Sequence, residues 1–110
     1  MLSQAFTYIW EYRVKPEHVD AFEHAYGPNG DWVKLFKKGT GHISTELHQD
    51  INHSDRFITI DCWTSKEAFD KFKKQFQEEF ITLDERFEAF TSAEKHIGDF
   101  EGYIEKYQKE

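Results

Sequence analysis

The stretch Phe57-Ile58-Thr59-Ile60-Asp61-Cys62-Trp63 is an apolar run rich in β-branched and aromatic residues, and such a run reads as a buried strand. The period then changes. From Lys66 onward the large apolar residues fall at Phe69, Phe72, Phe76, Phe80, Leu83, Phe87 and Phe90, in steps of three or four. Those steps put them on one face of a helix, and a face of that composition must be buried. Thr64-Ser65-Lys66-Glu67 opens the helix as a capping box, with Thr64 as cap and Glu67 reaching back. An unbroken helix to Thr91 would be about 39 Å long, which overshoots any strand in the chain. A break is therefore expected near Ile81-Thr82.

Upstream, Ala5 to Val14 alternates with period two: Phe6, Tyr8, Trp10, Tyr12 and Val14 on one face, Thr7, Ile9, Glu11 and Arg13 on the other. The aromatic row is the more apolar side and should face the helices. Pro16 opens a helix carrying Val19, Phe22 and Tyr26 on one face, and Gly27-Pro28 is expected to close it with a left-handed turn. Asp31 is the expected cap of a second short helix with Trp32, Leu35 and Phe36. His42 to Asp50 alternates less cleanly and reads as a strand nearer an edge, forming a hairpin with Phe57–Trp63 across the turn Asn52-His53-Ser54-Asp55. Thr91 to Gly98 is expected to hold a short fourth strand.

The order strand, helices, strand, strand, long helix, strand is the ferredoxin-like βαββαβ arrangement: an α+β fold with a four-stranded antiparallel sheet and helices on one face. The expected organisation is a single domain over residues 1–100 and a C-terminal tail over 101–110. A sheet covered on one side should show a polar second face, yet Ile9, Ile58 and Ile60 lie opposite the buried rows. A second copy of the chain is the simplest cover, so a homodimer through the sheet face is expected.

Composition narrows the function. Aromatic residues are 17% of the chain, eleven of them Phe, so large rings must fill a core or line a cavity. The formal charge of -7 argues against a nucleic-acid partner, whose affinity is mostly cationic. No run of residues is long enough to span a bilayer, and the single Cys62 fits a reducing compartment, so a cytoplasmic protein is expected. The six His residues form no convincing metal site. His42 and His48 are placed on one strand face with Glu46, and either could accept a proton if that face borders a pocket. Asp61 and Asp84 are carboxylates close to apolar neighbours; a single acid near rings does not define a general base, and Asp61 joins His42 and His48 as a candidate catalytic residue.

Tyr8-Ile9-Trp10-Glu11-Tyr12-Arg13-Val14-Lys15-Pro16-Glu17, followed by Phe22 and Tyr26, Gly41, and above all Arg56 through Trp63 with Thr64-Ser65-Lys66-Glu67-Ala68-Phe69, resemble the dimeric α/β-barrel superfamily and most its antibiotic biosynthesis monooxygenase branch. The resemblance spans about Ala5 to Phe100. It implies a homodimer, a small pocket between sheet and helices, and oxygenation of a small aromatic or quinone-type substrate without a cofactor; the alternative is a non-catalytic binding or structural dimer. Tyr8, Trp10, Tyr12, Trp63, Phe72 and Phe76 are the implied substrate-binding residues. A haem-degrading sister branch carries an Asn on the first strand, a Trp on the long helix and a His ten residues on. This chain has no Asn before Asn29, and Phe72 and Thr82 stand at the other two positions, so haem degradation is not expected.

Overall fold

The computed structural model describes residues 3–105. Four strands, β1 (Ser3–Val14), β2 (His42–Gln49), β3 (Arg56–Trp63) and β4 (Thr91–Ile104), form one antiparallel sheet in the order β2-β3-β1-β4. Helices α1 (Val19–Tyr26), α2 (Asp31–Phe36), α3 (Lys66–Gln75) and α4 (Gln77–Phe87) cover one face, so the fold is the α+β, ferredoxin-like one that the element order predicts. None of the described helices is long and apolar enough to cross a membrane.

The aromatic row of β1 faces the helices as its alternation requires: Phe6, Tyr8, Tyr12 and Val14 are buried and Trp10 nearly so. From β3, Phe57, Thr59, Asp61 and Trp63 point the same way. The Phe ladder closes over them, with Phe69, Phe72 and Phe87 buried and Phe76, Phe80, Leu83 and Phe90 packed at the margin.

Several local expectations shift. The long helix breaks at Phe76, whose φ of -114° and ψ of 33° lie outside the helical well, five residues before Ile81. Neither Gly nor Pro marks the spot; Phe76 itself packs against the core at the break. The cap of α3 is Ser65 rather than Thr64: its hydroxyl accepts from the Ala68 N–H at 3.0 Å. Gly27 ends α1 in extended geometry (φ -75°, ψ 175°), not the left-handed turn, because the following Pro28 disfavours helical geometry at the preceding residue. Asp31 is the first helical residue of α2, with Gly30 at the cap. A Cβ at Gly30 would stand 2.4 Å from the carbonyl oxygens of both His24 and Ala25, so only glycine lets α2 fold back against the end of α1.

The largest departure is β4. It runs past Gly98 to Ile104 and pairs with β1 along almost its whole length, so Phe100–Ile104 belong to the sheet rather than to a tail. Residues 106–110 of the expected tail lie outside the described residues.

Candidate functional site

The helix-facing side of the sheet is filled at one end and open at the other. At the filled end Trp63 is fully buried, with ring centroids 5.1–5.6 Å from Phe72, Phe69 and Phe36. At the other end a cavity of about 230 Å³ lies between the sheet and the helices. Its floor is Tyr8, Trp10 and Tyr12 of β1, and its roof is Tyr26 (α1), Trp32 and Phe36 (α2) and Phe80 (α4). Thr45, Thr59 and Asp61 form its polar centre, and Asp84 and Glu94 complete the lining.

Strand register builds the centre. Thr45 of β2 and Tyr8 of β1 are the partners of Asp61 on either side, so the three side chains form one row across the sheet. Thr45 Oγ1 donates to Asp61 Oδ1 at 2.6 Å and meets His42 Nε2 at 2.9 Å. When the carboxylate holds the Thr45 proton, the imidazole Nε2–H donates to Thr45. That assignment leaves His42 Nδ1 as an unprotonated acceptor, and it is one of the buried side-chain atoms without a partner among the described residues, with the indole nitrogens of Trp32 and Trp63.

Burial dominates the electrostatics. It pushes the Asp61 carboxyl up to about 7, against the smaller opposing effect of the Thr45 and Tyr8 hydroxyls; Tyr8 makes no hydrogen bond to it within 3.5 Å. Burial, helped by the positive charge of Lys37, lowers His42 to about 4 and keeps the ring neutral. The Tyr8 phenol is raised well above its ordinary value by burial and then by the Asp61 charge. Glu94 is raised by burial and by the Asp84 and Glu88 charges, with the Thr91 hydroxyl opposing. A carboxylate poised near neutrality in a ring-walled cavity can take a proton from a bound molecule and return it.

The sequence-predicted residues divide. Tyr8, Trp10, Tyr12 and Asp61 line the cavity, while Trp63 and Phe72 belong to the filled end and Phe76 packs at the core's margin. His42 and His48 do not share a face. The register shifts between His42 and Ser44, which turns His42 to the helix side beside Thr45, while His48 pairs with Glu46 at 2.8 Å in solvent. Gly41, at φ +109°, starts this irregular stretch with a conformation only glycine adopts freely. Tyr26, Trp32, Phe36, Thr45, Thr59, Phe80 and Glu94 were not foreseen as lining. The hairpin register alone could have found Thr45, because it sits opposite Asp61.

The sequence pattern of the antibiotic biosynthesis monooxygenase family matches residues 5–77, spanning β1 through the start of α4. The chain belongs to the antibiotic biosynthesis monooxygenase family. Solved structures show the same fold across the whole family chain. PA3566 from Pseudomonas aeruginosa superimposes with a TM-score of 0.62 at 23% identity, covering 93% of this chain and 95% of its own. SnoaB from Streptomyces nogalater, described as a cofactor-independent oxygenase, gives 0.60 at 16% identity over 96% and 95% of the two chains. A conserved protein from Methanosarcina mazei gives 0.56 at 18% identity over 94% and 93%. No curated protein matches the sequence.

Proposed function

We propose that this family member oxygenates a small aromatic or quinone-type molecule without a cofactor, using the cavity at Asp61. The supporting observation is the coincidence of a ring-walled space of about 230 Å³ with a buried carboxylate whose pKa of about 7 suits a general base. Asp61 takes a proton from an acidic C–H or O–H of the reduced substrate. The resulting anion passes an electron to molecular oxygen, the two radicals combine at carbon to a peroxide anion, Asp61 returns its proton to give the hydroperoxide, and loss of water with the hydrogen of that carbon leaves the quinone. The flat walls of Trp10, Tyr12 and Trp32 hold the substrate dry and oriented.

The working unit is proposed to be a cytoplasmic homodimer. On the face away from the helices Ile9 pairs across the sheet with Ile60, and Phe100, at 49% exposure, extends the apolar surface beside them. A second copy laid on that face would bury it.

Oxygen uptake by the metal-free protein, screened over anthrones and reduced quinones, tests the reading. Turnover above the spontaneous rate is expected, with Asp61→Asn slower by about 10²-fold or more. Binding with no oxygen uptake for any of them would replace the enzyme with a non-catalytic ligand-binding protein, and an Asp61→Asn variant of full activity would remove Asp61 from the chemistry.

A further inference from the structure

The cavity's lining is one-sided in charge. It holds three carboxylates, Asp61, Asp84 and Glu94, and among its lining residues no Lys, Arg or His. The charges that raise the groups around it are of the same kind: those acting on Tyr8, Tyr12, Tyr26 and Glu94 come from carboxylates and phenols. His42, which reaches Asp61 through Thr45, is held neutral. His96 lies 5.3 Å from the Trp10 ring, but its Nε2 is bound to Asp99 at 2.8 Å. The carboxylates do not converge into a metal-binding set either, since no three such groups cluster for one among the described residues.

Aromatic faces and carboxylates without a counter-cation are the surroundings that attract an organic cation. Each ring presents a negative face, and a desolvated ammonium gains most where several faces meet. Here Tyr26 adjoins both Tyr12 and Trp32, with centroid separations of 5.2 Å and 6.1 Å, and Asp84 and Glu94 stand on the same cavity. The chemistry adds a second reason. Proton transfer moves the negative charge from Asp61 to the substrate without adding to it, and in a space that offers no positive side chain that charge is held best by a substrate with its own positive charge.

We propose that the ligand of this cavity is an aromatic molecule bearing a protonated amine, its ring against Trp10 and Tyr12 and its ammonium group among Tyr26, Trp32, Asp84 and Glu94. The proposal deepens the functional reading and rests on the same cavity. The cation offsets part of the negative charge of Asp84 and Glu94, and it makes the deprotonated substrate a zwitterion rather than a further net anion in the acidic cavity.

The test is equilibrium binding of three matched probes, followed by tryptophan fluorescence: 2-naphthylmethylamine, 2-naphthalenemethanol and 2-naphthoate. At pH 7 the protonated amine is expected to bind at least about tenfold more tightly than the alcohol, and the naphthoate most weakly. Because Asp84 and Glu94 lie on exposed parts of the chain, the double variant Asp84→Asn/Glu94→Gln folds normally and brings the amine to the level of the alcohol. Equal or tighter binding of the alcohol or the naphthoate, no binding of any probe, or a double variant that keeps the preference would each overturn the proposal. Binding is read without turnover. A preference for the amine with no oxygen uptake on any anthrone or reduced quinone would leave this inference standing and sink the proposed activity alone.

Discussion

The two ends of the helix-facing side of the sheet use the same kind of residue to opposite effect. Around Trp63 the neighbours are mostly Phe36, Phe69 and Phe72, rings with no polar tip, joined by the His42 ring at 5.4 Å, and they interlock face and edge. Around Asp61 the rings are mostly Tyr and Trp, and with them come Thr45, Thr59 and a carboxylate. Polar tips need partners or room. At the filled end apolar rings close on one another; at the other the hydroxyls of Tyr and Thr and the Asp61 carboxyl border a space. The lesson is that aromatic content alone does not separate core from cavity, whereas the polar groups interleaved with the rings do.

Substitution should break this contrast most visibly at the filled end. Phe72 is 1% exposed, so Phe72→Ala is expected to cost about 3–5 kcal/mol by leaving a cavity that its neighbours cannot close. Phe80 already borders a void, and Phe80→Ala is expected to cost under about 2 kcal/mol while widening the binding space. Urea denaturation of the two variants compares them directly, and similar losses would mean that the two ends are packed alike.

The next effect is in pH. Asp61 is raised from 3.8 to about 7 in the folded protein, so its contribution to stability is full below pH 3.8 and is lost as pH rises through 7. Asp61→Asn lacks this loss and should gain about 2–4 kcal/mol relative to the parent between pH 4 and 8. His42 acts in the reverse sense. Its pKa falls from 6.5 to about 4, so its contribution is present above 6.5 and is lost as pH falls through 4. His42→Gln should therefore gain relative to the parent toward acid, by about 1–2 kcal/mol once partial exposure is allowed for. In the parent the two trends oppose each other between pH 4 and 6.5. Denaturation midpoints across that range should be flatter for the parent than for either variant, and variants whose curves run parallel to the parent would contradict the assignment.

Much of the filled end was legible in the sequence, because it is written in periodicity. The alternation from Phe6 to Val14 and the Phe ladder from Phe69 to Phe90 fix which faces are buried, and both faces are buried in the structure. The site was legible only in pieces. Tyr8, Trp10, Tyr12, Asp61 and Asp84 stood out as residues, but their convergence depends on the register that places Thr45 opposite Asp61 and on helices α1, α2 and α4 closing overhead. The fourth strand was legible over Thr91 to Gly98 but its continuation to Ile104 was not, because it is an edge strand of mostly exposed residues, including Glu94, Lys95, Asp99 and Glu101, whose apolar members do not form a buried face. Its regularity comes from β1, whose backbone it completes. The face of His42 was misread because a bulge inverts the alternation at Ser44, and nothing in the residue types around it announces an extra residue.

The account turns on Asp61 being a carboxyl that titrates near neutrality inside a cavity. Carbon-13 NMR of the aspartate carboxyl groups across pH 3 to 9 reads this for the intact protein, with Asp61→Asn assigning the resonance. The account predicts a midpoint near 7 for Asp61. A midpoint for Asp61 in the ordinary carboxylate range, about 4, would contradict it.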